Sequence, residues 1–548
     1  MNSQRREMAA HRSWLVRGVQ VPVDASEEDV RGACAKRLGL GAKDLLGFRM
    51  VRRSLDLRGR RSGRPARFVV QAECVCPAGH RGAALNRSLK SGKVVEAPTL
   101  AGFLPHDMTG ARAQRVVVIG SGPAGLFSAL PLALAGCDVT VIDRGASLRE
   151  RGTDVVRFHR SRVPSAESNL LYGEGGAGTY SDGKLYTRTD DPFEWPVLQA
   201  LVDAGAPPDI CFDSRAHVGT DRLHEVLRRL RDRLESVGVK FLWRTRMEDL
   251  VVHHGIEREV RAVITSRGEI ECDAVVLATG HSARDSWKML QDRGVQFEAK
   301  PFQVGVRVEH PQALIDQGRY GSEELIKRLG AASYEMVAKG VGAHTFCMCP
   351  GGRIVASVQA DGLLCTNGMS NSSHSSGWAN AAMVGTVAPP PGAAPFWGVD
   401  YQERLERAAF EAGGGDYTAP AQRASDFLSG QLSSSTPHST YPFGTRLARL
   451  DSLLPLELRD KVRGGLASFE RQLPGYASPS GVIVGVETRS SGPVRMPRHR
   501  ERMTADGFTN IFPVGEGAGY AGGIMTSATD GARAARALLC VHQPEMSK

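Results

Sequence analysis

Three glycines set the first chemical constraint on this chain. Gly120, Gly122 and Gly125 stand in G-x-G-x-x-G spacing directly after the β-branched run 116–119. The first permits a tight turn, the second lets backbone approach a pyrophosphate, and the third lets the following helix pack close to the strand. Pro123 suits the first helical turn, where a missing N–H costs little. Ala124 opens the helix predicted over 124–135, and Gly136 stops it. A second apolar strand, 139–142, ends at Asp143, within range of a ribose 2′-hydroxyl. The free N–H groups and dipole at the helix start would hold a diphosphate. Strand, turn, helix, strand and terminal acid, in that order, specify a dinucleotide site.

Three later stretches offer backbone of the same kind. LYGEGGAGTYSDGKLYTR, residues 171–188, is too rich in glycine for a regular helix or strand. Its Gly175, Gly176, Gly178 and Thr179 suit backbone lying against a flat or charged ligand. An apolar strand expected over 271–277 stops on Ala278, Thr279 and Gly280. Another, 510–514, runs into Gly515 and Glu516, and then Gly522, Gly523 and Ile524 precede a helix.

The elements that position these residues need more than one core. A chain of 548 residues predicts two to four domains. Residues 12–76 read as a small α/β unit: strands at 14–21, 46–55 and 67–76, and a helix at 26–38 opened by a Ser-x-x-Asp cap. Cys74 and Cys76 share one strand face and are expected in its core. The net charge of +10 resides in residues 1–110, with twenty Lys/Arg against ten Asp/Glu, and the remainder is neutral. The basic loop 58–67 is either a surface for an acidic partner such as RNA, or a solvated hairpin; no aromatic residues interleave its charges. Residues 220–237 form an amphipathic helix, and 260–266 with 271–277 read as a hairpin around Arg267-Gly268. Between 296 and 480 the nucleotide-domain pattern is absent, and strands at 303–308, 343–348 and 353–358 suggest a substrate-facing cap.

Composition narrows the class. Apolar content of 41% and charged content of 23% are those of a soluble globular protein. No apolar stretch approaches a membrane span, and the first residues lack the apolar segment of a secretory signal. Ten cysteines without a C-x-x-C pair indicate neither structural zinc nor a disulfide scaffold, so a reducing cytoplasm with no metal site is expected.

Together these motifs resemble the flavoproteins of the glutathione-reductase superfamily. More narrowly, GEGGAGTYSDGKLYTR, ATGHSARD, KPFQVGVRVEHP, TFCMCPGG and GEGAGYAGGI are similar to a group of bacterial-type FAD-dependent dehydrogenases. The resemblance implies an α/β fold with a discontinuous, Rossmann-like FAD-binding domain (112–295 and 481–548). An inserted α+β substrate or cap domain (296–480) and a small N-terminal α/β domain (1–100) complete it. It implies FAD as cofactor, with Gly120, Gly122, Ala124 and Gly125 at the diphosphate and Asp143 at the adenosine ribose. It also implies backbone near Met247 at the adenine, Glu516 at the ribityl chain, and Gly522, Gly523 and Ile524 near the pyrimidine side of the ring. Asp143 and Glu516 each differ by one methylene from the acid usual at those places. The expected function is that of an FAD-dependent oxidoreductase moving a hydride between flavin N5 and a small organic substrate. The alternatives are a flavin monooxygenase and an RNA-associated flavoprotein using the basic N-terminal unit. No second G-x-G-x-x-G follows a strand, so NAD(P)H, if it donates electrons, would bind transiently.

Residues for chemistry beyond the flavin are fewer. Lys184 offers positive charge to a reduced ring, or stands on the surface. Arg144 and Arg151 reach the cofactor phosphates, or form a salt-bridged helix face. Cys347 and Cys349 are a thiol relay or packed thiols; a disulfide at that spacing is strained in an extended strand, which favours packing. His281, His310 and His344 are proton-donor candidates. Arg489 and Arg495, flanking the late glycine stretch, suit an acidic substrate or an anionic flavin.

Overall fold

The computed structural model describes residues 11–59, 63–104, 114–185, 190–255 and 257–541. The chain divides into two compact units. The smaller takes the described part of Met1–Ala101 together with a later segment, Pro207–His217. Its four antiparallel strands lie in the order Gly47–Asp56, Arg67–Pro77, His11–Pro22, Val94–Glu96. The helix Glu27–Leu38 opens on Ser26, whose hydroxyl accepts from the Asp29 N–H while the Asp29 carboxylate accepts from the Ser26 N–H. Along Arg67–Pro77 alternate residues Val70, Ala72, Cys74 and Cys76 turn inward, in the same cluster as Cys34 and Leu38 of the helix. The tip of the basic loop, 60–62, lies outside the described residues.

The larger unit is built on two sheets. The first is parallel throughout, in the order Ile511–Pro513, Ala274–Leu277, Arg115–Ile119, Asp138–Ile142, Lys240–Leu242. Its inner strands are covered on both faces, which is why they read as continuous β-branched runs rather than alternating ones. The helix Pro123–Leu134 follows the first glycine turn and packs beside the last helix, Ile524–Val541. A Cβ on Gly531 would stand 2.1 Å from the Ala124 carbonyl, so these two backbones meet where only glycine fits.

The hairpin expected over 260–277 is shorter in the structure. Arg258–Thr265 turns back into Gly268–Glu271, and Ala274–Leu277 leaves to pair in parallel with Arg115–Ile119 on one side and Ile511–Pro513 on the other. All four residues of Ala274–Leu277 are buried, and the centre of a parallel sheet satisfies such a run where a hairpin edge does not.

The second sheet has seven strands, in the order Val337–Ala338, Ala343–Cys349, Trp378–Val387, Phe302–Pro311, Val482–Glu487, Ala419–Arg423, Thr445–Leu447. The last pair is parallel and the others antiparallel. Val482–Glu487, just past the expected boundary at 480, therefore belongs to this sheet. Helices Trp397–Gly413 and Leu456–Gln472 pack against it. Among the described residues no helix is long and apolar enough to cross a membrane.

Candidate functional site

A cavity of about 640 Å³ opens where the parallel strands end, lined there by Ile119, Ile142, Ala278 and Val514. That is the end of an open α/β sheet at which ligands are generally held, and the volume falls within the range of roughly 300–1,000 Å³ usual for ligand pockets. Its far wall comes from the second sheet and the loops beside it, through Tyr334, Phe346 and Cys347.

Glycine shapes the near wall. Gly120, Gly122, Pro123 and Ala124 line it, with Gly176 and Gly178 opposite. Gly120 has φ +107°, and a Cβ there would stand 2.4 Å from the Ala278 carbonyl oxygen. A Cβ on Gly176 would come within 3.1 Å of the Gly122 Cα, whereas Gly522 and Gly523 face open space. Thr279, Gly280, Met247, Arg144, Lys184, Glu516, Gly522, Gly523 and Ile524 also line the cavity. Gly125, Gly175, Thr179 and Gly515 lie behind its surface. Gly125 seats the helix on the turn. The Thr179 hydroxyl donates to the Glu174 carbonyl, and the Gly515 N–H donates to Asp530 at 2.8 Å.

Two buried polar atoms on the wall, Thr279 Oγ1 and His281 Nδ1, have no hydrogen-bond partner among the described residues. Unpaired buried polar atoms are costly, so their presence at a glycine-lined cradle fits a polar ligand that completes them. The residues present therefore suit a dinucleotide such as FAD.

Asp143 departs from its expected use. It stands at the cavity edge, but Oδ2 accepts from the Ser121 N–H at 2.9 Å and the Ser121 hydroxyl at 2.6 Å. Oδ1 accepts from the N–H groups of Gly145 at 2.8 Å and Gly173 at 3.1 Å. A carboxylate offers about four lone-pair sites, and four internal donors occupy them. Here Asp143 ties the first glycine turn to the glycine-rich loop, and a ribose hydroxyl would have to displace one of those donors.

The arginines also divide by what they touch. Arg144 lines the cavity with its guanidinium over the Tyr172 ring, bound to Asp285 and close to Glu167. Arg151 is fully buried and does not reach the cavity. Its Nε donates to the Asn169 carbonyl at 2.8 Å and its Nη1 to the Glu174 carbonyl at 2.6 Å, so it braces the glycine-rich loop from behind. Arg495 is exposed, 5.5 Å from the Tyr520 ring, and is absent from the wall. In the strand Val494–Arg495 the inward place goes to Val494, and alternation sends its neighbour out. Arg489 does line the cavity, but it is paired with Glu406 at 2.9 Å and donates to the Ser282 hydroxyl. Of the three histidines, His281 and His344 line the cavity; His310 is buried elsewhere, against the Tyr476 carbonyl at 2.7 Å.

Charge at the far end centres on Glu516. Its Oε1 lies 4.0 Å from His281 Nε2. Burial, then the cations Arg489, Arg284 and Lys300, push the His281 imidazole down to about 3, so it is neutral and the contact is not an ion pair. Burial pushes Glu516 up to about 7, with Lys300 opposing and the Cys347 thiolate adding to the rise. A folded-state value above the ordinary 4.5 means the native protein keeps a proton that the unfolded chain releases. Stability of the flavin-stripped protein is therefore expected to fall as pH rises from about 4.5 to about 7, by up to about 3 kcal/mol from this group. Denaturation midpoints across that window should show a flatter slope in Glu516→Gln; identical slopes would refute the assignment.

Lys184 and the two cysteines meet at the other wall. Lys184 pairs with the buried Asp182 at 2.6 Å and donates to the Met348 carbonyl. Cys347 lines the cavity and Cys349 is wholly buried behind it. The extended-strand premise for these two fails. The pairing of Ala343–Cys349 with Trp378–Val387 slips between Phe346 and Cys349, and Cys347 has φ +46°. Arg307, Glu487, Asp182 and Tyr334, which surround this bulge, escaped the sequence reading. The one available signal is Arg307 itself, a charge in the apolar run VGVRV.

Two family models match parts of the chain. Residues 301–490 match the family described as FAD-dependent protein, C-terminal domain-like, and residues 113–155 match the FAD binding domain. An uncharacterized protein of Clostridium beijerinckii is 38% identical over 433 residues, 78% of this chain and 80% of its own. Among solved structures, L-amino acid deaminase from Proteus vulgaris aligns with 83% of this chain and 97% of its own, at 12% identity and TM-score 0.34. CtdE, solved in complex with FAD, aligns with 77% and 83% at 10% identity and TM-score 0.30.

Proposed function

This chain belongs to the family of FAD-dependent proteins that carry the C-terminal domain matched at 301–490, and from that premise we propose that it is an FAD-dependent oxidoreductase in which the flavin passes a hydride to or from a small organic substrate. The observation that carries the reading is the continuity of the cavity. It joins the glycine cradle around Gly120 and Gly176 to a wall of Tyr334, Phe346 and Cys347 from the second sheet and the loop beside it.

The protein's part is positioning and charge. Glycines at the cradle keep side chains away, so backbone N–H groups at the start of Pro123–Leu134 would be free to hold a diphosphate. Thr279 Oγ1 and His281 Nδ1 would hold polar atoms of the ligand. Tyr334 and Phe346 give the wall facing the cradle an apolar surface. Glu516 holds a proton at its carboxyl up to near neutral pH. Lys184, fixed by Asp182 and the Met348 carbonyl, keeps a cation at the wall without being free to swing away.

Anaerobic rapid mixing of the yellow protein with NADH, NADPH and a panel of metabolites tests this reading. Bleaching of the flavin band by one of them, and its return with an acceptor, is the expected result. Protein that stays colourless after incubation with FAD, or whose bound flavin answers to no donor, overturns it.

A further inference from the structure

The segment Phe346-Cys347-Met348-Cys349 is unlike the rest of its strand. A non-glycine residue in the left-handed region is uncommon and strained, and such strain persists where the surroundings enforce it. Here the enforcement is visible. Arg307, fully buried, donates from Nη2 to the Cys347 carbonyl at 2.9 Å and to Cys349 Sγ at 3.5 Å. Lys184 donates to the carbonyl between them, that of Met348. The bulge turns Cys347 toward the cavity while Cys349 stays behind it, donating its S–H to the Cys347 carbonyl at 3.4 Å.

We propose that Cys347 and Cys349 form a redox-active dithiol on the cavity wall, with Cys347 attacking and Cys349 resolving, whose exchange partner is a low-molecular-weight disulfide entering the cavity. In the first step the Cys347 thiolate attacks one sulfur of the disulfide. The S–S bond of the substrate breaks, a mixed disulfide forms on Cys347, and one substrate thiolate departs. In the second step Cys349, giving up its proton, attacks Cys347 Sγ, and the second substrate thiol leaves with that proton. The two cysteines are oxidised to a disulfide and the substrate disulfide is reduced to two thiols, with no other oxidant or reductant required. The same steps in reverse run the couple with a thiol substrate.

The electrostatics agree with the division of roles. The Cys349 side chain, with Lys184 and Arg307, holds the Cys347 thiol below its ordinary value, whereas burial holds Cys349 above it. An attacking thiol with thiolate character at the surface, backed by a protonated and sheltered partner, is the arrangement exchange needs. The exchange uses only the two thiols, so it stands apart from the flavin reading, and its test does not depend on flavin turnover.

The test takes the reduced, FAD-loaded protein through glutathione buffers of increasing oxidation, blocks remaining thiols under denaturing conditions, and maps the peptide 343–353 by mass. The expected result is loss of two hydrogens within that peptide. Cys349→Ser should instead retain one glutathionyl group on Cys347, and Cys347→Ser none. In the unmodified protein iodoacetamide should label Cys347 at least about tenfold faster than Cys349 at neutral pH. Packed structural thiols give the opposite pattern: both alkylatable after full oxidation of the buffer, no trapped glutathione, and equally slow labelling. That outcome overturns the proposal even if the variants fail to fold, because the unmodified protein alone decides it.

Discussion

Replacing Gly125 by alanine is expected to yield a protein that carries no flavin and unfolds well before the parent. The new Cβ would stand 1.9 Å from the Gly120 carbonyl oxygen and 3.0 Å from its carbon. Both are backbone atoms of the turn, so no side chain can swing aside. The helix Pro123–Leu134 would have to lift off the turn by more than an ångström, taking with it the N–H groups that face the cavity. Overpacking of this kind costs about 3 kcal/mol or more at the upper end of its range. Displacement of the helix start should weaken FAD binding by at least about 100-fold, since each tenfold is about 1.4 kcal/mol. Gly152→Ala is the control. Gly152 lies within the helix Leu148–Ser161 with nothing within 4 Å of a Cβ, and alanine there should gain about 0.5–1 kcal/mol and leave the flavin in place. Retention of normal flavin content in the Gly125 variant would show that the turn is more compliant than its contacts allow.

The second large effect is expected at Arg307. Its guanidinium, wholly buried, donates from Nη1 to both oxygens of Glu487 at 3.0 and 2.8 Å and from Nε to Asn380 at 2.9 Å. Arg307→Met leaves the Glu487 carboxylate buried without its cation and the Cys347 carbonyl without that donor. Breaking one side of a buried pair costs about 3–5 kcal/mol, mostly as the penalty on the partner left behind. Removing both charges is a different perturbation. Arg307→Met combined with Glu487→Leu should recover most of the loss, because the desolvation penalty disappears with the second charge. Chemical denaturation of the two variants separates these outcomes: equal midpoints for single and double variants would mean the pair is not the source of the effect.

What the sequence makes legible here is what local geometry determines. Strand, turn and helix around Gly120 are specified by residues adjacent in the chain, and the Ser26–Asp29 cap lies within one helical turn. Glycine spacing and β-branched runs carry that information directly. The partners of Ala274–Leu277 are another matter. Four apolar residues after a turn read equally well as the return of a hairpin, and only the arrival of Ile511–Pro513 on its far edge makes it central. Asp143 shows the same limit at a single side chain. Its position at a strand end is visible, whereas its four donors come from the Ser121 turn, from Gly145 two residues on, and from Gly173 in a loop folded back over the turn. The bulge at Cys347 leaves no trace in the residue types, since it arises from Arg307 and Lys184 reaching in from other strands and loops. Arg495 lies close in sequence to the late glycine stretch yet points outward, because proximity in sequence says nothing about which way a strand residue points.

The order in which the parallel sheet is threaded bears on how the molecule is made. Its fifth strand, Ile511–Pro513, and the helix Ile524–Val541 that covers Pro123–Leu134 follow the whole of the second sheet in the chain and leave the ribosome after it. Until then Ala274–Leu277 shows a bare hydrogen-bonding edge, apolar on both sides, to everything in the surrounding medium. The nascent chain must be sheltered through synthesis of the entire second sheet, and a chain cut short before Ile511 would be a sticky, incomplete fragment rather than a smaller working protein.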